Sequence, residues 1–207
     1  MIYLRSVSKS YKNKQIFNDY TISIEEGEFV SIMGQSGSGK TTLLNLMSLI
    51  DKPDSGDVEI LKHINPKNKM LRDLRRNHFG FIFQNYVLLN EKTIFQNLLI
   101  SKSNITSKAK LEHEFAKALE SVQLDSSRLH QPVYELSGGE QQRLAIARVI
   151  LKPFSIIFAD EPTGNLDDEN KQIILDLFKQ IQSTGKTIVS VTHDSYFAEY
   201  SDRIIKI

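Results

Sequence analysis

The sequence predicts an α/β fold built on a mostly parallel central sheet. Three short segments, residues 79–83, 155–159 and 187–191, are rich in apolar residues, which is typical of strands that are buried on both faces of a parallel sheet. A further strand is predicted at 28–33, and it leads through a glycine-rich loop into a predicted helix at 42–47. A strand, a loop and a helix in this order are typical of α/β folds with a parallel sheet.

Residues 2–33 predict an N-terminal antiparallel β subdomain. Strand-like runs in this segment are interrupted at 12–14 and 25–27, where polar residues and a glycine predict hairpin turns. The next predicted elements are a turn at 51–56, a strand at 57–61 and a basic helix with a solvated face at 69–77. The last predicted element is a short strand at 202–207, and no regulatory domain is expected after it.

Residues 85–153 change from strand patterns to helical ones. Apolar residues at helical spacing predict an amphipathic helix whose inward face is formed by Leu111, Phe115, Ala118, Leu119 and Val122. We therefore expect one domain, in which residues 1–84 and 154–207 form the core with its β subdomain and about 85–153 form an inserted α-helical subdomain. The apolar residues at 86–89 and 95–100 predict either ordinary core or a docking groove for a partner.

Composition restricts the classes of function. The 207 residues include 26 basic and 25 acidic ones, for a net charge of +1, so no clustered basic surface for nucleic acid is expected. No window approaches 18 consecutive apolar residues, and the first residues alternate like a strand and not like a signal peptide. We expect a cytoplasmic protein that does not itself span a membrane. The absence of cysteine excludes disulfides and thiol catalysis.

One glycine-rich segment fits the phosphate-binding pattern G-x-x-x-x-G-K-[ST] at every specified position. It consists of Gly34, Gln35, Ser36, Gly37, Ser38, Gly39, Lys40 and Thr41. Glycines let successive backbone N–H groups approach phosphate oxygens closely. Lys40 would supply a charge to the β- and γ-phosphates, and Thr41 a hydroxyl ligand to Mg²⁺. The segment predicts a P-loop NTPase core, the alternative being a Gly/Ser-rich turn with a chance lysine.

Polar residues follow three of the predicted buried strands. Gln84 follows the strand at 79–83, Asp160 and Glu161 follow another, and His193 comes shortly after a third. Because ligands gather at the carboxyl ends of parallel strands, Gln84 is a candidate ligand of Mg²⁺ or of the attacking water. Asp160 is a candidate Mg²⁺ ligand, Glu161 a candidate base, and His193 a donor to the γ-phosphate. Adjacent strand residues point to opposite sides, so the two acids are expected to have separate tasks.

The segment Leu136–Arg143, LSGGEQQR, predicts a helix start with a second phosphate site. Ser137 and Glu140 have the spacing of a capping box. A cap does not need Gly138 and Gly139, which cost about 1 kcal/mol each relative to alanine within a helix. That cost is more easily understood if an anion approaches the exposed N–H groups.

Tyr11 and Asp167 each have two interpretations. Tyr11 lies beside the first turn and either stacks on an adenine ring or, more commonly for a lone strand tyrosine, is half-buried packing. Asp167 precedes an amphipathic helix and is either only its N-cap region or also a contact to a neighbouring subunit. The inward face of that helix is expected to contain Ile173, Ile174, Leu177, Phe178 and Ile181.

Together these segments resemble the ATP-binding cassette (ABC) ATPase family, in the order of that family's motifs and over residues 1 to about 205. LSGGEQQR is the specific part. The resemblance implies that Tyr11 lies under adenine, Gln84 is the Q-loop, Ser137, Gly138 and Gly139 are the signature, Asp167 is the D-loop and His193 is the switch histidine. It also implies that Asp160 and Glu161 are the Walker B aspartate and catalytic glutamate. Thr41 and Thr42 stand where Ser-Thr is frequent, and either hydroxyl residue binds Mg²⁺.

The resemblance also implies partners and a mode of action. Its cofactors would be ATP and Mg²⁺, and its partners a second copy in a head-to-tail dimer with two ATP at the interface and a membrane permease on a separate chain. The segment from Gln84 to Leu89 would couple to that permease, at the inner face of the cell membrane. The loop Gly164-Asn165-Leu166-Asp167 and the run Ala159–Thr163 look like the subgroup of lipoprotein-release, macrolide-export and antimicrobial-peptide cassettes.

The favoured hypothesis is the ATPase subunit of an exporter or extractor. The alternative is a mechanotransmitting cassette that drives a membrane partner to regulate cell-wall enzymes, and the shared motifs do not separate the two. A DNA-repair or translation ATPase is less favoured, because the chain has no long coiled-coil insertion, second cassette or basic surface.

Overall fold

The computed structural model describes residues 1–12, 14–102 and 107–207. These residues form a four-stranded sheet in the order β2-β1-β4-β5 and a five-stranded sheet in the order β6-β7-β8-β3-β9. The strands are β1 (Ile2–Tyr11), β2 (Lys14–Ile24), β3 (Phe29–Met33), β4 (Ser55–Ile60), β5 (His63–Ile64), β6 (Phe79–Phe83), β7 (Ile156–Asp160), β8 (Thr187–Val191) and β9 (Arg203–Lys206). All pairings in the first sheet are antiparallel, and all those in the second are parallel. The predicted fold class is confirmed.

The two turns predicted as hairpins differ in what they connect. The chain around residue 12 joins β1 to its antiparallel partner β2, although Asn13 lies outside the described residues. The turn at 25–27 joins β2 in the antiparallel sheet to β3 in the parallel sheet. The prediction of a second hairpin is therefore wrong, because the polar turn residues permit a reversal without specifying which sheet the next strand joins.

Seven α-helices are found in the described part of the chain. They are α1 (Lys40–Met47), α2 (Asn68–Asn77), α3 (Ile94–Leu99), α4 (Lys108–Ser121), α5 (Gly138–Ile150), α6 (Asp168–Ser183) and α7 (Ser195–Glu199). Helices α3 to α5 lie between β6 and β7 in the chain, in the segment predicted to be helical. The boundaries of the core and helical subdomain remain a prediction. No helix in the described ranges is long and apolar enough to cross a bilayer.

The predicted apolar faces of α4 and α6 lie in the interior. In α4, Leu111, Phe115, Ala118 and Leu119 are buried, and α6 buries Ile174, Leu177, Phe178 and Ile181. They belong to a cluster that includes α5 and residues of the parallel sheet. A second cluster fills the space between the two sheets and α1. The sheet between these clusters is a rigid base for the loops at the carboxyl ends of its strands.

The turn after β6 contains two non-glycine residues in the left-handed region. Tyr86 has a φ of 59° and Val87 a φ of 50°, which is unfavourable for a β-branched side chain. Arg148 of α5 donates hydrogen bonds to both of their carbonyl oxygens, at 3.2 and 2.6 Å. These two hydrogen bonds stabilise a strained turn that begins two residues after Gln84 in the chain.

Val87→Gly is expected to raise the free energy of unfolding by roughly 0.5–1 kcal/mol. Glycine removes the left-handed penalty, and the entropy of the more flexible unfolded chain offsets part of that gain. The side chain is 51% exposed, so little packing is lost. Urea unfolding measures the change, and Val87→Ala, which keeps the Cβ atom, should gain less. A lower free energy of unfolding for Val87→Gly would contradict the strain.

Candidate active site

The glycine-rich loop adopts a conformation that its glycines make possible. Gly37 and Gly39 have φ values of 80° and 108°, and a Cβ atom at Gly39 would lie 2.6 Å from Cγ2 of Ile16. The Lys40 ammonium donates to the carbonyl oxygens of Gly34 and Gln35, at 2.8 and 3.0 Å. These bonds hold its charge over the loop, at the beginning of α1.

Ser38 supplies an observation that fits a bound anion. Its Oγ atom is buried and has no hydrogen-bond partner among the residues that the structure describes. A buried hydroxyl without a partner costs free energy, and a phosphate oxygen in the loop would accept its hydrogen. The loop backbone, the Ser38 hydroxyl and the Lys40 ammonium are all hydrogen-bond donors, as a phosphate site requires.

A cavity of about 430 Å³ lies beside this loop. Its lining brings together the loop, the start of α1 and the carboxyl ends of β6, β7 and β8. The residues that line it are Ile16, Ser36, Gly37, Gly39, Lys40, Thr41, Thr42, Gln84, Asp160, Glu161 and Val191. The structure thus unites Gln84, Asp160 and Glu161 with the predicted phosphate loop in one site.

Asp160 and Glu161 line the same cavity, contrary to the expectation that they point to opposite sides. Asp160 is the last residue of β7, and Glu161 has a φ of 47°, so the alternation of the strand stops between them. Burial raises the pKa of Asp160, the charge of Glu161 raises it further, and Lys40 opposes both effects. A second positive charge in the cavity would therefore favour ionised Asp160.

The oxygen atoms around this cavity are of the kind that Mg²⁺ prefers. Thr41 has a hydroxyl, Gln84 an amide oxygen and Asp160 a carboxylate. Within the described ranges no group of three or more His, Cys, Asp or Glu side chains could hold a metal ion without other ligands. This donor set fits a cation that also takes ligands from nucleotide phosphates and water, as Mg²⁺ commonly does.

His193 contacts Glu161. The Nδ1 atom of its ring lies 2.9 Å from Oε1 of Glu161, and its backbone N–H donates to Oε2 at 3.3 Å. The side chain is mostly exposed and borders a hollow lined also by Gly34, Gln35 and Ser38. A hydrogen bond to an ionised Glu161 requires the proton on Nδ1, so Nε2 is a donor only when the ring is protonated.

Tyr11 is held by a hydrogen bond from its hydroxyl group and by a cation above its ring. The hydroxyl donates to the carboxylate of Asp51, which also accepts a 3.0 Å bond from the Lys9 ammonium. The Lys9 ammonium lies 5.0 Å from the centre of the tyrosine ring, and the hydrogen bond to Asp51 raises the pKa of Tyr11. The residue is 44% exposed, as expected for half-buried packing, although it belongs to neither apolar cluster, and its stacking on adenine remains a prediction.

The capping box predicted at the start of α5 is present. Ser137 accepts a hydrogen bond from the backbone of Glu140 at 3.3 Å, and Glu140 accepts one from the backbone of Ser137 at 2.8 Å. Contacts within the chain also explain why glycine occupies positions 138 and 139. A Cβ atom at Gly138 would lie 3.0 Å from the Tyr86 hydroxyl, and one at Gly139 would overlap the Asn170 amide group. Approach of an anion is therefore not the only explanation for them.

Asp167 is the N-cap residue of α6. Its carboxylate accepts hydrogen bonds from the backbone N–H of Asn170 at 2.8 Å and from the Asn170 side chain at 3.0 and 2.9 Å. The N-cap interpretation is correct, and the contact to a second subunit remains a prediction. Several of the predicted site residues are absent from the lining of the P-loop cavity, namely Ser137, Gly138, Gly139 and Asp167, and also Tyr11, Gly34, Gln35, Ser38 and His193.

The family model described as "ABC transporter" matches residues 17–164. The chain belongs to the ABC transporter family. This match covers more than half of the chain and includes the P-loop, Gln84, the LSGGEQQR segment and the acid pair. The family and the enzyme class predicted from the sequence are confirmed, because this is an ATP-binding ABC ATPase domain.

Similar proteins include two kinds of curated relative. The chain is 37% identical over 214 residues to the ABC transporter ATP-binding protein YxdL of Bacillus subtilis, covering 100% of this chain and 83% of that one. It is 37% identical over 211 residues to the macrolide export ATP-binding/permease protein MacB of Chlorobaculum tepidum, covering 99% of this chain and 32% of that one. The chain thus spans about a third of the length of the MacB relatives.

A solved structure also resembles the chain along its whole length. The ATP-binding cassette MJ0796, in a dimeric post-hydrolysis state bound to ADP and Pi, superimposes with a TM-score of 0.89 at 36% identity. The alignment covers 100% of this chain and 94% of that one.

Several residues around the site carry interactions that the sequence did not indicate. Asp51 accepts hydrogen bonds from both the Tyr11 hydroxyl and the Lys9 ammonium, and Arg143 and Asn170 connect α5 to Asp167. Lys9 and Tyr11 are about 40 residues from Asp51 and Arg143 is 27 from Asn170, so no local pattern identifies these contacts, whereas the Asn170 bond to Asp167 spans only three residues.

Proposed function

We propose that the chain is the ATP-hydrolysing subunit of an exporter or extractor and acts as a head-to-tail dimer with two ATP at the interface. The observation that carries this proposal is the separation of two groups of nucleotide-binding candidates. Five P-loop residues share one cavity with Gln84, Asp160 and Glu161, whereas Ser137 to Gly139 lie outside its lining at the start of a different helix, α5. A second chain that supplies the signature segment would complete the site.

Within one chain, we assign the residues according to what their atoms can do. The loop backbone, Ser38 and Lys40 bind the phosphates, and Thr42 adds a hydroxyl at the same end of α1. Thr41, Gln84 and Asp160 hold Mg²⁺, which neutralises phosphate charge when bound. Tyr11, which is 44% exposed, would stack on the adenine ring.

Hydrolysis would depend on the pair formed by Glu161 and His193. Glu161 orients a water molecule and takes its proton, since its carboxylate lines the cavity and is close to the phosphate loop. His193 fixes that carboxylate through Nδ1 at 2.9 Å. In its protonated form the ring also donates through Nε2 to a γ-phosphate oxygen.

The proposed dimer is supported by a dimeric relative and by the position of the signature segment outside the P-loop cavity. The similar cassette MJ0796 is dimeric in its state with ADP and Pi. In our proposal, Ser137, Gly138 and Gly139 contact the γ-phosphate held by the opposite P-loop, and Asp167 lies at the same interface. Loss of these γ-phosphate contacts on hydrolysis would open the dimer.

The membrane partner would be a permease on a separate chain, with the ATPase on the cytoplasmic side. YxdL, of which the match covers 83%, is named an ATP-binding protein alone, whereas MacB is named an ATP-binding/permease protein for macrolide export. The name of MacB supports export for this chain. Exposed apolar residues at Val87, Leu89 and Ile100 provide a surface near Gln84 for the permease.

ATP-dependent dimerisation tests the proposal. With Glu161→Gln to slow hydrolysis, the protein should elute as a monomer with ADP and as a dimer with ATP and Mg²⁺. Adding Ser137→Arg should prevent dimerisation and leave ATP binding to the monomer intact, because Ser137 does not line the cavity. A protein that stays monomeric at saturating ATP would contradict the shared site. Co-purification in detergent tests the membrane partner.

A further inference from the structure

A set of four residues connects the beginning of α5 to the beginning of α6. We call Gly139, Arg143, Asp167 and Asn170 the α5–α6 clasp. Arg143 donates through Nη1 to Oδ1 of Asn170 at 2.5 Å. The Asn170 amide nitrogen in turn donates to both carboxylate oxygens of Asp167, at 3.0 and 2.9 Å. Asn170 is thus the central member, bonded on both sides.

The bonds of the clasp determine the orientation of the Asn170 amide. Its oxygen faces a cationic donor, and its nitrogen faces an anionic acceptor, so a flipped amide would reverse both interactions. Hydrogen bonds to charged groups are also stronger than those between neutral groups. The orientation in turn places the Asp167 carboxylate, whose pKa is lowered first by the hydrogen bonds from Asn170.

Burial makes the clasp costly to disrupt. Arg143 is 9% exposed, and its Nε atom has no hydrogen-bond partner within the described residues. Loss of solvation lowers the pKa of this guanidinium, and the nearby charges of Glu140, Asp167 and Glu169 oppose that effect. Asn170 is therefore a principal polar contact of a nearly buried cation, and its loss would leave that cation with still fewer partners.

Gly139 belongs to the same arrangement for a steric reason. The space that a Cβ atom would occupy there is filled by the Asn170 amide group. The second glycine of the signature thus allows α6 to approach α5 closely enough for the Arg143 to Asn170 bond.

We infer that Asn170 is a positioning residue that fixes Asp167 and the signature segment to one another, so that both meet the second chain as one rigid unit. This inference rests on the proposed dimer, in which both segments lie at the interface. Asn170 itself does not line the P-loop cavity, so its side chain acts through Asp167 and the start of α5.

Asn170→Ala in the Glu161→Gln background tests the inference through two properties, ATP affinity and ATP-dependent dimerisation. ATP affinity of the monomer should be unchanged, and the ATP concentration for half-maximal dimerisation should rise about tenfold, the effect of one hydrogen bond to a charged group. Gln180→Ala, which removes an exposed amide from the same helix, is the matched control and should change neither. A general loss of structure would alter both properties together.

A double-mutant cycle of unfolding stability separately tests the steric overlap between Gly139 and Asn170. Gly139→Ala should lower the urea midpoint, whereas in an Asn170→Ala chain the same substitution should not lower it further and should raise it slightly, because alanine favours the helix. Additive losses would contradict the overlap. Unchanged dimerisation of Asn170→Ala, with a parent that dimerises, would overturn the inference and leave the proposed function intact. A parent that does not dimerise would overturn the proposed function and, with it, the role of Asn170 in closure.

Discussion

Replacing Glu161 with glutamine is expected to lower ATP turnover by about a thousandfold, within the range of general base catalysis. The Glu161 carboxylate lines the P-loop cavity and is held by His193 from one side, with Nδ1 at 2.9 Å. Glutamine keeps the shape of the side chain and cannot accept a proton from water. ATP affinity should stay within about threefold of wild type, since the P-loop donors are intact.

Phosphate release and nucleotide titration measure these two quantities separately. Glu26→Gln makes the same change at an exposed turn residue and should turn over ATP normally. ATP turnover by Glu161→Gln at the wild-type rate would contradict the assignment of Glu161 as the general base. A parallel loss of ATP affinity would instead indicate that Glu161 binds the nucleotide in the ground state.

The residues that line the cavity were predictable because each belongs to a short local pattern. Gln84 and Asp160 follow or end apolar strands, and parallel strands bring such residues to one edge of a sheet. The register confirms this, with Phe83 opposite Asp160 and Asp160 opposite Val191. The P-loop was predictable for a similar reason, because its glycines, lysine and threonine are spaced to suit one continuous loop of the backbone.

The orientation of Glu161 was not predictable from strand alternation. Alternation separates neighbours only while the backbone stays extended, and a φ of 47° at Glu161 interrupts it one residue after β7. The connection at 25–27 failed for a related reason, because turn chemistry specifies a reversal and not the sheet that receives the next strand.

Contacts between distant segments were also beyond local patterns. Gly139 and Asn170 are 31 residues apart in the numbering of the chain, and Tyr11 and Asp51 are 40 apart. The cost of two glycines in a helix signalled a constraint, which was interpreted as room for an anion. The structure adds close packing against Tyr86 and Asn170, so one glycine can serve both needs.

In the proposed dimer, these contacts would let one chain present two different faces to nucleotide. The cavity face rests on β6, β7 and β8, whose strands are fixed by the parallel sheet. The signature face rests on the start of α5, which is capped by its own box and bonded to α6. Because the two faces are positioned by separate elements, variants should impair nucleotide binding and dimer closure independently.

The Lys40→Ala substitution is expected to weaken ATP binding. Its ammonium is the positive charge that lines the cavity, and it is held by two loop carbonyl oxygens that a phosphate would outcompete. Losing its charge-assisted bonds should weaken ATP binding by about a hundredfold, or ~3 kcal/mol.

Titration with a fluorescent ATP analogue measures this loss, and Lys117→Ala, at an exposed position of α4, is the matched control. Urea unfolding should show only a small change, since the loop carbonyl oxygens released by Lys40 remain accessible to water. If ATP affinity is unchanged in Lys40→Ala, the glycine-rich loop is not the phosphate site, because no other lysine or arginine lines this cavity among the described residues. A large loss of affinity with normal stability would place the charge of Lys40 on the phosphates.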